Sequence, residues 1–159
     1  MRIGVVSDSH GNLYMLDKAI KSMGNLDYII HLGDEYRDII KVNEKYKLPI
    51  EYVSGNNDFG AERIPEKILS ISGKKIFITH GHRYNVYFGL ESLYFKALET
   101  DAELVLYGHT HVQDIKSKGD IILLNPGSVS RPRDTKPGCA VVEIDNRGDI
   151  DFKLIRLEY

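Results

Sequence analysis

The chain has 159 residues, 42% of them hydrophobic and 28% charged, which suffices for one packed domain and falls short of two. A net charge of −2 and a pI near 6.3 give no polybasic character, so a nucleic-acid partner is not expected. Cys139 stands alone, which excludes an internal disulfide, and its apolar setting (Gly138-Cys139-Ala140-Val141-Val142) reads as a buried, inert thiol. No segment approaches the ~18 apolar residues that span a bilayer, and the run from Met1 to Val6 is too short for the apolar core of a secretion signal. A cytoplasmic, soluble protein with no membrane partner is expected.

Ile3 to Ser7 is a short apolar run that reads as a buried strand. Asn12 is placed to cap a helix beginning near Leu13, with Leu13, Leu16, Ile20 and Met23 as its apolar stripe and Gly24 as its stop. Asp27 to Leu32 is a second buried strand. Ile39, Ile40, Val42 and Tyr46 suit a second helix stopped by Pro49, and Ile50 to Ser54 is a third strand. Strands alternating with helices predict a parallel sheet with crossover helices. Further on, Lys67 to Ile71 and Lys74 to Thr79 form a hairpin turned at Ser72-Gly73. Leu90 to Leu98 is helical, with Leu90, Leu93, Tyr94 and Leu98 on one face, and Leu104 to Tyr107 is another buried strand. The rest is β: Val112 to Lys116, Asp120 to Leu124, Cys139 to Ile144 and Ile150 to Leu157, with turns at Gly119 and Asn146-Arg147-Gly148. These elements predict one α/β domain over residues 1–159, two mixed sheets packed face to face with helices outside.

Five segments concentrate carboxylates and nearly all the histidines: Asp8-Ser9-His10, Gly33-Asp34, Gly55-Asn56-Asn57-Asp58, Thr79-His80-Gly81-His82 and Gly108-His109-Thr110-His111. Each alone is ordinary turn chemistry. Together, four of them following an apolar run, they describe strand ends that gather distant side chains onto metal ions. Asp8 and His10 lie two apart in an extended segment and so point the same way. The two oxygens of Asp34 can bridge two cations. Asn56 offers a neutral amide oxygen and His80 ends a later strand. His109 and His111 are again two apart, and a loop there lets them serve different ions. Oxygen and imidazole donors without thiolate point to catalytic manganese, iron or zinc rather than a structural zinc knot. Two cations ~3.5–4 Å apart can hold a hydroxide and clamp a phosphoryl group, with the water pKa lowered toward ~7.

In order and spacing these residues, from Asp8 to His111, resemble the calcineurin-like metallophosphoesterase superfamily, whose pattern runs Asp-x-His, Gly-Asp, Gly-Asn-His-Asp/Glu, His and Gly-His-x-His. Compact length, Thr79-His80-Gly81-His82, and Asn125-Pro126-Gly127-Ser128 with Arg131-Pro132-Arg133 are similar to its small bacterial and archaeal, YfcE-like phosphodiesterases. The resemblance implies a four-layer α/β/β/α sandwich of two mixed sheets flanked by helices. It implies one metal held by Asp8, His10, Asp34 and His111 and a second by Asp34, Asn56, His80 and His109. The cofactors it implies are two divalent ions, foremost Mn2+, with Fe, Zn, Ni or Co as alternatives. The activity it implies is hydrolysis of a small phosphoester, a nucleotide among the candidates and a phosphodiester foremost, by a hydroxide bridging the two metals. Two alternatives stand beside it: a phosphomonoesterase or nucleotide phosphatase using the same site, and a protein-interaction scaffold like the retromer subunit that resembles this fold.

This chain departs from the pattern at Asn57, where much of the superfamily has a histidine held to protonate the leaving group, oriented by the acid that follows, here Asp58. Asparagine cannot play that part, so Asn57 is expected to hydrogen-bond phosphoryl oxygens. His82 is a candidate to orient a metal-binding histidine or to donate a proton, and His31 to fill the core or support a ligand from behind. Arg131 and Arg133 suit phosphate recognition or a solvated basic loop. Tyr84, Tyr87, Phe88, Tyr94 and Phe95 form an aromatic cluster that suits a core, an oligomer interface or a pocket that stacks on a base or aryl group. A homo-oligomer, dimer or tetramer, is expected.

Overall fold

A computed structural model describes residues 1–60 and 63–159. Its elements in chain order are β1 (Arg2–Val6), α1 (Leu13–Ser22), β2 (Tyr28–His31), α2 (Arg37–Tyr46), β3 (Ile50–Tyr52), β4 (Glu66–Ile71), β5 (Lys74–Thr79), α3 (Glu91–Thr100), β6 (Leu104–Leu106), β7 (Gln113–Lys118), β8 (Ile121–Pro126), β9 (Gly138–Ile144) and β10 (Ile150–Arg156). The bounds expected from the sequence hold to within two residues.

The strands make two mixed five-stranded sheets, ordered β10-β9-β1-β2-β3 and β4-β5-β6-β8-β7. In the first, β1, β2, β3 and β10 run in one direction and β9 in the other; in the second, β5, β6 and β8 run in one direction and β4 and β7 in the other. Alternate side chains of each sheet meet in a common core, including Val5, Ile30, Ile78, Leu106 and Val142. The opposite face of the first sheet packs under α1 and α2 through Leu16, Ile20 and Ile39, and that of the second under α3 through Leu93 and Ala97. This is the expected helix–sheet–sheet–helix layering. Every parallel strand must return through a crossover, so their carboxyl ends emerge on one rim, where ligands gather in open α/β sheets.

Asn12 caps α1 as expected, its side-chain oxygen accepting from Met15 N at 3.1 Å. Ser72 and Gly73 make the two-residue hairpin turn with φ of 50° and 78°, the left-handed pair that such a turn requires. The apolar faces need correction. Leu13 and Ile40 are exposed, and Met15 and Ala19 take the inward positions of α1. Leu98 also faces outward, because Leu93 and Ala97, four apart, define the buried line of α3. α2 stops before Pro49, at Lys47 in a left-handed conformation with φ 55°. Of the aromatic cluster, Tyr84 and Tyr94 pack on the core under α3, whereas Tyr87, Phe88 and Phe95 are exposed.

Candidate metal centre

The five segments converge on the rim where β1, β2, β3, β5 and β6 end. Neighbouring loops are stitched by backbone bonds, Asp8 N to Gly33 O at 3.0 Å and Gly108 N to His80 O at 2.9 Å. Ser128 and Ser130 hydroxyls both donate to Asp8 O. The expectation that Asp8 and His10 point alike along an extended strand is wrong in its route. β1 ends at Val6, and Asp8, His10, Asp34, His109 and His111 all have positive φ, between 46° and 70°. Tight left-handed turns, not a pleat, aim these side chains. Such a backbone costs on the order of 1–3 kcal/mol per residue and clusters where function requires it; Asp and His are among the residues that tolerate it best.

Asp8, His10, Asp34 and His111 each offer a donor atom, all within 4.8 Å of one another. His111 Nε2 lies 3.1 Å from Asp8 Oδ1, His10 Nε2 3.3 Å from His111 Nε2 and 3.7 Å from Asp34 Oδ2. A second group adjoins them: His80 Nε2 lies 3.4 Å from Asp34 Oδ1, 3.2 Å from Asn56 Oδ1 and 3.8 Å from Asp8 Oδ1. The His109 ring sits 5.0 Å from that of His80. His10, Asp34, Asn56, His109 and His111 line one cleft of about 380 Å³, with Asn57 and Arg131 to Arg133.

The protonation pattern fits a divalent cation. His80 Nδ1 meets the carbonyl of Leu32 at 2.7 Å and His111 Nδ1 that of Arg131 at 2.6 Å. A carbonyl only accepts, so each Nδ1 carries the proton and each Nε2 turns a lone pair into the cluster. Those lone pairs face carboxylate oxygens. Among the described residues, Asp8 Oδ1 is a buried polar atom without a well-formed hydrogen bond. Acceptors crowded against acceptors are repulsive unless positive charge sits between them. Burial pushes His109 down to about 4 and lowers His10, leaving both neutral, the form that binds metal. Burial would raise Asp8, yet the facing His111 and His80 hold its carboxyl below the usual range, and Asp8 in turn raises His111 despite that ring's own burial, so without a metal the site draws a proton onto His111 to supply the positive charge that a cation would bring.

Asn57 turns inward: its backbone N donates to Asp34 Oδ1 at 2.9 Å and its Nδ2 to Asp34 Oδ2 at 2.6 Å. Asp58 is buried and accepts four backbone N–H groups, from Asp34, Glu35, Tyr36 and Gly55. His82 opens a 3₁₀ turn (His82–Tyr84), its ring 5.4 Å from His80. Its Nδ1 is buried without a partner among the described residues, and burial lowers its pKa. His31 is fully buried beneath the ligand loops, Nε2 3.0 Å from Ser9 Oγ, which donates to Asp38 Oδ2 at 2.8 Å. Sequence reasoning passed over Ser9 and Asp38, whose pairing across 29 positions leaves no local pattern.

The model of the calcineurin-like phosphoesterase superfamily domain matches residues 1–147. Phosphodiesterase MJ0936 of Methanocaldococcus jannaschii is 33% identical over 144 residues, 80% of this chain and 83% of that protein. The crystal structure of an uncharacterised protein of Streptococcus pneumoniae, described as a predicted phosphoesterase, superposes with TM-score 0.78 at 32% identity, covering 98% and 97% of the two chains. Zinc-complexed Vps29 of Entamoeba histolytica shares the fold at TM-score 0.77 and 19% identity, over 98% of this chain and 99% of that one. With a family model spanning most of its length, this chain belongs to the calcineurin-like phosphoesterase superfamily.

Proposed function

We propose that this protein is a two-metal phosphodiesterase, with Asp8, His10, Asp34 and His111 holding one divalent cation and Asp34, Asn56, His80 and His109 the other. The position of Asp34 carries the reading: one of its oxygens faces His10 and the other His80, at 3.7 and 3.4 Å. Two cations bound there would supply an activated nucleophile at neutral pH and neutralise phosphoryl oxygens. Manganese is foremost for such oxygen and imidazole donors, with Fe, Zn, Ni or Co as alternatives. Asn57 holds both oxygens of Asp34, and Asp58 pins the loops carrying Asp34 and Asn56 together. Arg131 and Arg133, at the edge of the cleft, suit recognition of phosphate. A phosphodiesterase-named relative at 33% identity supports the substrate class.

The experiment is metal analysis of the purified protein together with Mn2+-dependent hydrolysis of bis(p-nitrophenyl) phosphate, with D34N alongside. Two bound metals per chain, activity with Mn2+ and loss of both in D34N are expected. Activity confined to monoesters would give the site to a phosphatase instead. No hydrolysis of any ester by metal-loaded protein would leave the scaffold reading, in which case D34N would keep its partner. Self-association belongs to the same proposal, supported by the exposed Phe95 and Leu98 on α3, and light scattering tests it.

A further inference from the structure

A second, larger cavity of about 900 Å³ adjoins the metal cleft on the outer side of the second sheet, between α3 and β7. Tyr87 and Arg133 line both cavities. The Tyr87 hydroxyl donates to His109 O at 3.0 Å and accepts from the Arg133 guanidinium, and its ring lies 4.9 Å from the His109 ring. A single tyrosine–arginine partition thus separates the groove from a candidate metal ligand. Beyond it the walls are Phe88, Leu90, Tyr94 and Val112. Several polar groups of the groove are engaged with one another or with rings: Lys118 Nζ sits 4.2 Å over the Tyr94 ring, Lys116 Nζ lies 3.4 Å from Asp114, and Tyr107 donates to Asp114; Glu91 and Ser117 also line it. Its aromatic and aliphatic walls offer a ligand a stacking surface, and Phe88 at their edge is 92% exposed. The size is that of a small-molecule site.

From this we infer that the groove is the subsite for a flat, uncharged aromatic group on the alcohol of the substrate, seated while the phosphoryl group occupies the metal cleft. The inference rests on the phosphodiesterase reading above and narrows it to diesters bearing an aryl ring or a nucleobase. Stacking is insensitive to ring identity and contributes about 1–3 kcal/mol per ring, an affinity difference of at least about five-fold between ringed and ringless diesters.

The test measures inhibition of bis(p-nitrophenyl) phosphate hydrolysis by dimethyl phosphate, diphenyl phosphate and dithymidine monophosphate on the Mn2+-loaded protein. Diphenyl phosphate should bind at least about five-fold more tightly than dimethyl phosphate. A similar gain for the dinucleotide would identify a nucleobase as the source of the ring, and a gain for diphenyl phosphate alone an aryl ester. K116W fills the groove from the exposed edge strand and should bring the ratio of the two inhibition constants toward one. Equal inhibition by dimethyl and diphenyl phosphate on active protein overturns the subsite, a result the wild type gives even if K116W does not fold. A K116W protein that changes its oligomeric mass while keeping the ratio overturns it too, and gives the groove to a second copy of the chain. Absence of hydrolysis by the wild type would instead fail the phosphodiesterase reading itself.

Discussion

Asn57 grips both oxygens of Asp34, through its backbone N–H at 2.9 Å and its side-chain amide at 2.6 Å. The residue at the departure from the superfamily pattern thus fixes a carboxylate whose two oxygens face different histidine groups, one toward His10 and one toward His80. N57A removes the side-chain bond and frees Asp34 to rotate. Metal affinity should fall by about ten- to a hundred-fold, the usual effect of losing a hydrogen bond behind a ligand. Titration of the metal-free protein with Mn2+ measures it; an unchanged dissociation constant would separate Asn57 from metal binding.

The same substitution of amide for imidazole bears on the leaving group. Asn57 has no acidic proton to give, and burial keeps the pKa of His82 below its ordinary value, so at neutral pH that ring is mostly neutral. General acid catalysis contributes about 10²–10⁴-fold where present. Rates across a series of aryl and alkyl diesters should therefore drop steeply as the leaving-group pKa rises. A flat series would show that some group protonates the departing oxygen after all.

Gly55 approaches Asp34 more closely than any side chain allows. A Cβ there would lie 2.1 Å from Asp34 Oδ1 and 2.6 Å from Asp34 N. Its backbone is not left-handed, so the cost of G55A is contact alone. Moving Asp34 should destabilise the fold by about 1–3 kcal/mol and weaken metal binding well beyond that of N57A. Thermal melting with and without Mn2+ reads both, and a G55A protein with wild-type stabilisation by metal would refute the argument.

The order of elements along the chain, the layering and the gathering of five distant segments were legible because each depends on apolar runs and strand ends, which leave a local pattern. What was not legible depends on tertiary geometry. The left-handed conformations at Asp8, His10, Asp34, His109 and His111 fall on residues other than glycine, so residue type alone does not announce them. Asp58 read as a partner for an absent histidine, because nothing local shows that four backbone N–H groups from two loops would close on its carboxylate. Tyr87 read only as one of an aromatic group. Its contact with His109 spans 22 positions and follows from how the segment after β5 lies over the rim.

Asp58 accordingly tests as a structural clasp. Its four accepted bonds join the Gly33-Asp34 turn to the Gly55 loop. D58N keeps the shape, removes the charge and turns half of the acceptor capacity into donors facing donors. Unsatisfied N–H groups at a buried site cost about 1–3 kcal/mol. The metal-free D58N protein should unfold at lower urea by that amount. If D58N lost activity at unchanged stability, Asp58 would belong to the chemistry rather than the scaffold.

His31 makes the fold acid-sensitive even without metal. The ring is fully buried, accepts the Gly33 N–H on Nδ1 at 3.1 Å and lies 3.0 Å from Ser9 Oγ through Nε2. Burial holds its pKa down to about 4, against 6.5 for an ordinary histidine. Above pH 6.5 neither the native nor the unfolded chain protonates it, and its full contribution to stability is present. As the pH falls below 6.5 the unfolded chain takes up a proton that the native ring refuses, so stability declines until the native ring also titrates near pH 4. By pH 5 the loss amounts to roughly 2 kcal/mol. His109, pushed to about 4 by its own burial, acts in the same direction. H31Q keeps a polar side chain in place without a titrating ring and should flatten the urea midpoint between pH 7 and pH 5, in chelator, while leaving the share due to His109. Wild-type and H31Q midpoints that fell in parallel over that range would assign the acid sensitivity to other groups.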